Sequence, residues 1–497
     1  MSGGLRTSLS LWQVVGLSVA LMAPSMAVNI NPQPTAAIVG RAVPLTFVIA
    51  TVGVLCLAYV FARLCQHFHH AGSVYGFVGA TLGARAGVVA GWTLLGTYLC
   101  YGVVTASAAG IFGTAFLQEI HAWPTPPAWA PFVVTAVALV GVGYLAIAPV
   151  RAGTRLLLGV EAVTVVLILI VTVAVVVRLL GAGGPAGQTV TWSVFTLPPK
   201  VAPSALFLGV VFGFLSFAGF EASATLGEEA RTPRRNIPRA ILGTAIFGGL
   251  YFTVVTAVEV MGFGATAAGV TAFTHSGSLL GDLGSQYLAG WVGDLITLGA
   301  AVSGFGCALA CAVGAARLAF AGARDGLGPP ALAEISPRRG TPATATTVAV
   351  GVMYLIVLIE AGFGATPLDA FTWSATIGTL ILLIAYLAAT LAAIRLLFFS
   401  RPRRVPAWQV IIPLGAIGLL GYTVYRNVVP YPSGPGAWLP IVGIAWIALG
   451  VLSVLVAPRA ARRAGIRLTH DAGLQPIPAT PAATAAPTAA RPPGQRR

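Results

Sequence analysis

The sequence predicts an all-α membrane protein with twelve transmembrane helices. Of its 497 residues, 57% are hydrophobic and only 8% are charged, a composition outside the range of soluble domains. Its apolar runs are long enough to cross about 30 Å of hydrocarbon as helices. The net charge of +15 could suggest a nucleic-acid partner, but such a partner needs basic residues concentrated on one face or domain. Here they recur between the apolar runs, which indicates a lipid bilayer and no nucleic acid.

Counting the apolar runs in chain order gives the twelve predicted spans. They cover residues 9–31, 43–64, 86–117, 131–149, 154–180, 204–226, 239–263, 287–321, 342–362, 367–398, 408–428 and 436–457. The first run resembles a signal peptide, but the many later spans favour a retained helix.

The distribution of basic residues predicts the orientation. With the N-terminus inside, 24 of the 28 basic residues fall on the inner side, and the other side holds only Arg41, Arg178, Lys200 and Arg426. Because lysine and arginine are retained in the cytoplasm, both termini are predicted there, in a multi-pass protein of the cytoplasmic (inner) membrane.

Domain organisation follows from the change of composition near the C-terminus. Residues 1–460 are predicted to form one twelve-helix domain. Residues 461–497 have too little apolar bulk to fold and are predicted to be a disordered cytoplasmic tail, with arginines that also contact anionic lipid.

Two spans are predicted to be interrupted. In the sixth, SFAGFE (residues 216–221), Gly219 lets the backbone leave the helix and Glu221 places a carboxylate inside a span, which marks a functional site. In the first, APSMA (residues 23–27), Pro24 lacks an N–H group. Proline alone only kinks many membrane helices, but two interruptions five spans apart indicate an inverted-repeat transporter.

The stretch FLSFAGFEASATLGEEARTPRRNIPRAI, residues 214–241, resembles the sixth helix and following loop of amino acid-polyamine-organocation (APC) superfamily permeases. FARLCQHFHHAGSVYGFV and RLAFAGARDGLGPPALAEISPRRGTP resemble two more loops of these permeases. The resemblance implies a leucine-transporter-like fold, with five helices repeated upside down. It also implies a secondary active transporter that works by alternating access.

The resemblance further implies a substrate site where the first and sixth helices unwind. Its candidate residues are Ala23, Ser25, Met26, Ala27, Ser216, Phe217, Ala218, Gly219 and Phe220. Free amides at such a break bind a substrate carboxylate. The family commonly has GSGIF at the first break, whereas this chain has APSMA. The amides of Ser25, Met26 and Ala27 are then expected to bind the anion, and the need for a carboxylate stays open.

Buried acids are the candidate gating or coupling groups. Glu221 is either a structural carboxylate that accepts backbone amides or a gate beside the substrate. Glu161, in the fifth span, either carries a proton or hydrogen-bonds to a helix carbonyl as a neutral acid. Ser303, in the eighth span, is the hydroxyl expected to serve a sodium ion if the coupling ion is not a proton.

Other polar residues are expected to have no direct part in transport. Glu259 and Asp294 are expected to be solvated or structural near the membrane interface, and Glu360 and Asp369 to lie in external loops. Possible pocket-lining residues, each expected rather to pack, are Tyr98, Tyr101, Trp373 and Ser374.

Metal, cofactor and catalytic motifs are not evident. His67, His69 and His70 are expected to be solvated in a loop, and the five cysteines form no C-x-x-C pair. No nucleotide fingerprint or nucleophile–base set appears, so neither ATP drive nor enzymatic catalysis is predicted, and no cofactor.

The predicted function is transport of an amino acid, preferably neutral, because no acid of the third, eighth or tenth span clearly faces the pocket. A proton is the preferred coupling ion. The alternatives are a polyamine or ethanolamine-type amine carrier and a non-transporting sensor on a permease fold. The sensor is disfavoured because the tail is short.

Overall fold

The computed structural model describes residues 10–68, 74–148, 151–181, 183–226, 232–336, 340–400 and 404–471. These residues contain eighteen α-helices and no β-strand. The helices are α1 (Leu11–Leu21), α2 (Pro24–Ile30), α3 (Pro32–Val39), α4 (Val43–His67), α5 (Val74–Leu82), α6 (Ala84–Glu119), α7 (Ala130–Ile147), α8 (Arg151–Leu180), α9 (Leu206–Ser216), α10 (Pro233–Phe263), α11 (Ala267–Thr274), α12 (Leu279–Tyr287), α13 (Gly290–Arg324), α14 (Ala343–Gly362), α15 (Pro367–Phe398), α16 (Ile411–Arg426), α17 (Leu439–Val456) and α18 (Pro458–Asp471).

Within the described residues, eleven helical stretches are long and apolar enough to cross a membrane. The first joins α1 to α2 and the second joins α3 to α4, while the other nine contain one long α-helix each. They confirm the predicted all-helical membrane fold. The remaining predicted span, 204–226, holds the shorter apolar helix α9 and the turn after it. The total of twelve crossings therefore stays a prediction.

The centre of the bundle is formed by α6, α13 and α15. These helices are among the longest, and small residues let α13 and α15 each pack closely against α6. Gly304 of α13, for example, faces the Thr105 carbonyl and the Ala109 backbone of α6 so closely that a Cβ atom would collide with them. Close backbone approach of this kind provides van der Waals packing, which holds membrane helices together where lipid removes the hydrophobic drive.

The outer helices present apolar side chains outward. Val140 of α7, Val173 of α8 and Leu455 of α17 are each more than 60% exposed. A soluble protein would cover such residues, so these faces are the ones that contact lipid.

The chain after residue 460 differs from the prediction. Residues 461–497 were expected to be disordered, but α18 extends to Asp471, and residues 472–497 lie outside the described part of the chain. Ala461 and Ala464 of α18 are fully buried, and Arg467 forms an ion pair with Asp325 after α13 at 3.2 Å. Small residues at helical spacing form a packing face that composition alone does not reveal.

Glu360 also differs from its expected place in an external loop. It lies in α14, is 1% exposed, and accepts a 2.7 Å hydrogen bond from Ser374 of α15. Asp369 forms a capping box with Thr366 at the start of α15, so its role is to begin that helix. His67 is the last residue of α4, whereas His69 and His70 lie outside the described residues.

The docking of α18 can be tested at Gly465, where a Cβ atom would collide with the Ala84 carbonyl at the start of α6. We expect Gly465→Leu to weaken the docking by about 1–3 kcal/mol, the usual cost of overpacking. Trypsin should then cleave α18 roughly ten times faster or more in the purified protein. Gly322→Leu is the control, because a Cβ atom at Gly322 meets nothing within 4 Å. Equal cleavage of both variants would contradict this docking.

Candidate functional site

The first interruption lies between α1 and α2. Ala23 has φ 47° and ψ 54°, a left-handed conformation that costs a non-glycine residue about 1–2 kcal/mol. Pro24 follows, and its ring disfavours a helical conformation for the residue before it. The break is shorter than predicted, because Ser25, Met26 and Ala27 already belong to the first turn of α2.

Two backbone N–H groups of that turn, which α2 itself leaves unpaired, have partners from other helices. The Ser25 N–H donates to Oε1 of Glu161, on α8, at 2.9 Å. The Met26 N–H donates to Oγ of Ser303, on α13, at 3.4 Å, and the Ser303 hydroxyl also interacts with the Glu161 carboxylate. The amide of Ala27 bonds back to the Ala23 carbonyl, so it is used inside the helix.

Glu161 therefore occupies the place at which the sequence predicted a substrate carboxylate. It is 6% exposed, and its carboxylate faces the positive end of the α2 dipole. This arrangement is an anion site that the protein fills with its own side chain. It brings together three predicted residues from three spans: Ser25, Glu161 and Ser303.

Two asparagines hold α2 in place. The side-chain oxygen of Asn29 accepts from the Ser278 hydroxyl at 3.0 Å and from the Leu280 amide at 2.8 Å, which ties α2 to the start of α12. The Asn31 side chain donates to the Ser216 hydroxyl at 2.7 Å, which ties the first broken helix to the second. Ser216, predicted to bind substrate, is thus engaged between the two breaks.

The second interruption confirms the predicted break in the sixth span. Helix α9 ends at Ser216, a turn follows through residue 221, and a 3-10 segment covers Ala222–Leu226. Gly219 has φ 102°, a conformation that side-chain-bearing residues rarely adopt. A Cβ atom there would lie 3.0 Å from the Leu21 carbonyl oxygen at the end of α1, so the two breaks touch at Gly219.

Glu221 connects the unwound segment to α15. The Tyr386 hydroxyl donates to its Oε1 at 2.7 Å, while Oε2 is buried without a hydrogen-bond partner among the described residues. Tyr98 and Tyr101 of α6 lie close enough to Glu221 to interact with it electrostatically. Both predicted tyrosines therefore belong to the surroundings of the sixth-helix break.

The two phenylalanines predicted at this break are packed. Phe217 meets the Phe252 ring edge-on at a centroid distance of 5.2 Å. Phe220 packs edge-on against Phe61 and Tyr386 at 5.9 and 6.0 Å. Both are almost fully buried, so in this conformation their rings fill the core beside the break. Of the predicted substrate-site residues at this break, Ala218 and Gly219 keep partial exposure.

The structure does not bring the remaining predicted residues to the breaks. Trp373 packs edge-on against Trp438 at 5.3 Å in a separate cluster with α17. Ser374 is occupied by its hydrogen bond to Glu360. Among the residues that the structure describes, no group of three or more His, Cys, Asp or Glu side chains could hold a metal ion.

Sequence reasoning missed several residues of the site. Tyr386 gave no signal, because aromatic residues in membrane helices mostly pack or anchor. Asn29 and Asn31 could have been found from the sequence. Side-chain amides just after a proline break are candidates for hydrogen bonds to the backbone groups that the break leaves unpaired. Glu259 was expected to be solvated or structural, but it is fully buried on α10 and has no hydrogen-bond partner within the described residues.

Comparison with known proteins places this architecture among the permeases. The family model described as amino acid permease matches residues 19–459. An uncharacterised transporter of Mycobacterium tuberculosis is 30% identical over 425 residues, 85% of this chain and 86% of the relative. The branched-chain amino acid permease BcaP of Bacillus subtilis is 26% identical over 75% of this chain and 76% of its own. The low-affinity putrescine importer PlaP of Escherichia coli is 28% identical over 71% and 75%, respectively.

A solved structure supports the fold. The crystal structure of a mutant manganese transporter from Eremococcus coleocola aligns with a TM-score of 0.54 over 93% of this chain and 98% of that one. Because the identity is 13%, the likeness concerns the fold alone, and it confirms the leucine-transporter-like class.

The contact at Gly219 can be tested by substitution. We expect Gly219→Leu to insert normally but to lose substrate binding, because the side chain would strain the backbone and push the two breaks apart. Gly243→Leu on α10 is the control, since a Cβ atom there meets nothing within 4 Å. Binding of labelled L-leucine and putrescine to purified protein provides the measurement. Binding by Gly219→Leu equal to that of the parent would remove the substrate site from this position.

Proposed function

Since the chain belongs to the amino acid permease family, we propose that it is a secondary active transporter that carries an amino acid together with a proton by alternating access. The observation that carries the proposal is the 2.9 Å hydrogen bond from the Ser25 amide to the Glu161 carboxylate. Through this bond, the titratable Glu161 side chain occupies the Ser25 amide, which a substrate carboxylate would need in order to bind at the break.

Competition for this amide would link the proton to the substrate. An ionised Glu161 neutralises the positive end of α2 and repels a second carboxylate. When Glu161 takes up a proton, its hold on the Ser25 amide weakens, and the amide becomes available to the substrate. By linkage, the proton and an amino acid then favour each other's binding, which is the requirement for symport.

The same geometry favours a proton over a sodium ion as the coupling ion. Sodium in such folds is coordinated by carbonyl oxygens and the negative ends of broken helices. The groups aimed at Glu161 and Ser303 are instead N–H donors at the positive end of α2. A cation beside Ser303 would face that positive end, which is unfavourable.

A neutral amino acid is the proposed substrate, in keeping with the relation to the branched-chain permease BcaP. The alternative is an amine without a carboxylate, and two observations favour it: Glu161 already fills the anion site, and PlaP imports putrescine. The two differ in the direction of proton movement. An amine cation would bind ionised acids and displace protons, so it would exchange with them, whereas an amino acid would travel with one.

Uptake by reconstituted vesicles tests the proposal directly. The parent protein should accumulate at least one of a panel of radiolabelled amino acids when the pH outside is lower than inside, whereas an amine that exchanges with protons would accumulate only under the opposite gradient. Binding of a ligand without accumulation of any of them would favour a sensor instead. Accumulation driven by a sodium gradient alone would overturn the proposal that the coupling ion is a proton.

Substitution of Glu161 tests the coupling. Glu161→Gln keeps shape and hydrogen-bonding capacity but cannot titrate. With a gradient of about one pH unit, one coupled proton supplies about 1.4 kcal/mol, enough for roughly tenfold accumulation. We expect Glu161→Gln to equilibrate its substrate without accumulating it, while exchange of labelled for unlabelled substrate persists. Accumulation equal to that of the parent would refute this role.

The proposed orientation, with both termini in the cytoplasm of the inner membrane, rests on the distribution of basic residues. In a cysteine-free background, Gln188→Cys should react with an impermeant reagent only from outside and Thr232→Cys only from inside. Val173→Cys, on the lipid-facing surface of α8, should react from neither side. The reverse pattern for positions 188 and 232 would overturn the orientation.

A further inference from the structure

Helix α18 begins directly after the last apolar helix long enough to span the membrane. Leu455 and Val456, at the end of α17, are 70% and 75% exposed, so the lipid-facing surface continues to the last turn of that helix. Ala457 then leaves the helical conformation, with φ −120° and ψ 59°, and Pro458 starts α18. The start of α18 therefore lies at the boundary of the hydrocarbon.

Contacts with α6 show the direction that α18 takes. Helices α6 and α17 pair in opposite directions, since Trp92 stacks on Trp446 at a centroid distance of 4.7 Å and Val88 shares a hydrophobic cluster with Val454. The start of α6 is therefore level with the end of α17. Gly465 nevertheless lies against the carbonyl of the first residue of α6. A helix that continued away from the membrane would carry Gly465 about 10 Å past that level, so α18 runs along the membrane surface instead.

The packed and the outward residues of α18 lie on opposite sides of the helix. Ala461, Ala464 and Gly465 are buried against the neighbouring helices. At about 3.6 residues per turn, four exposed residues fall within about 100° on the other side. We call this surface the basic face, and it consists of Arg459, Arg462, Arg463 and Ile466.

The arginines of the basic face differ from the neighbouring Arg467 in having no acidic partner. Arg467 pairs with Asp325 at 3.2 Å, and the side chain of Asp325 is fully buried between Arg467 and Arg324. Among the residues that the structure describes, the three arginines of the basic face form neither a hydrogen bond nor an ion pair. The face thus carries three positive charges that the described part of the protein leaves unneutralised.

We propose that the basic face binds the headgroups of anionic phospholipids in the leaflet on which α18 lies. From a helix at the hydrocarbon boundary, long arginine side chains reach the lipid phosphates and form charge-assisted hydrogen bonds with them. Each basic residue near an anionic surface strengthens the attraction roughly fivefold. Ile466, 48% exposed among the arginines, adds apolar surface for the acyl chains, which a soluble acidic partner would not require.

Bound lipid would hold α18 in its docked position. The helix contacts lipid with one face and α6 with the other, and Arg467 joins it to Asp325, the residue that ends α13. Anionic lipid therefore stabilises the ends of α6 and α13 on that side of the membrane. The inference is independent of the substrate and of the coupling ion proposed above.

Native mass spectrometry of the full-length protein tests the binding, with phosphatidylglycerol and phosphatidylcholine as the probes. The parent should retain phosphatidylglycerol in preference to phosphatidylcholine. The basic-face variant, with Arg459→Gln, Arg462→Gln and Arg463→Gln together, should lose this preference by about tenfold or more, because three attractive charges are removed. A preference equal to that of the parent would overturn the inference.

A second triple variant is the matched control for net charge. It removes the same charge from the end of the chain through Arg491→Gln, Arg496→Gln and Arg497→Gln. This control should keep the preference of the parent. Equal loss in both triple variants would reduce the effect to net charge and overturn the assignment to α18.

Hydrogen exchange of the protein in nanodiscs tests the docking. The amides of α18 should exchange more slowly when the nanodisc contains phosphatidylglycerol than when it contains phosphatidylcholine alone. The basic-face variant should show no such difference. Equal protection of the parent in phosphatidylcholine by inorganic phosphate, or by soluble poly-glutamate, would assign the face to a free anion or to an acidic protein and overturn the inference.

A single substitution keeps the inference testable if the basic-face variant does not insert. Arg463→Gln removes one charge from the exposed side of α18 and no described contact. It should weaken the preference for phosphatidylglycerol roughly fivefold. An unchanged preference in this variant would overturn the inference.

Discussion

A helix that is interrupted inside a bilayer must find partners for the backbone groups that it frees, because the hydrocarbon offers none. The rest of this site depends on that constraint. At the amide end of α2 the partners are the Glu161 carboxylate and the Ser303 hydroxyl, from two other spans. At the sixth-helix break, Tyr386 holds Glu221. The breaks are thus junctions at which five spans meet through hydrogen bonds: those of α2, α8, α9, α13 and α15.

Partners of this kind differ from helical hydrogen bonds in that they can be exchanged. The Ser25 amide can serve any anion of suitable shape, and Glu161 holds it only while its carboxylate is the better acceptor. In the proposed mechanism, a proton on Glu161 changes that balance. The contact that satisfies the backbone amide is then also the one proposed to couple transport to a proton.

The two breaks also constrain each other mechanically. Asn31 bonds to Ser216, and Gly219 lies against the Leu21 carbonyl, so neither broken helix can shift far without the other. The aromatic rings of Phe61, Phe220 and Tyr386 close the core beside them. Around this centre, the close approach of α6 and α13 through small residues forms a scaffold that keeps its shape.

The sequence by itself determined the membrane class, the extent of nearly all spans and the position of both breaks, because apolar length, glycine and proline act locally. It also identified Ser25, Glu161, Ser303 and Glu221 as candidates, since polar groups inside apolar runs stand out. Only the tertiary structure decided their partners. Glu161 meets Ser25 across 136 positions of sequence, and Glu259 has no hydrogen-bond donor within the described part of the chain, a fact that depends on the helices packed around it. The helical form of 461–471 was likewise decided by tertiary packing, because its small residues become apolar surface only when α6 lies against them.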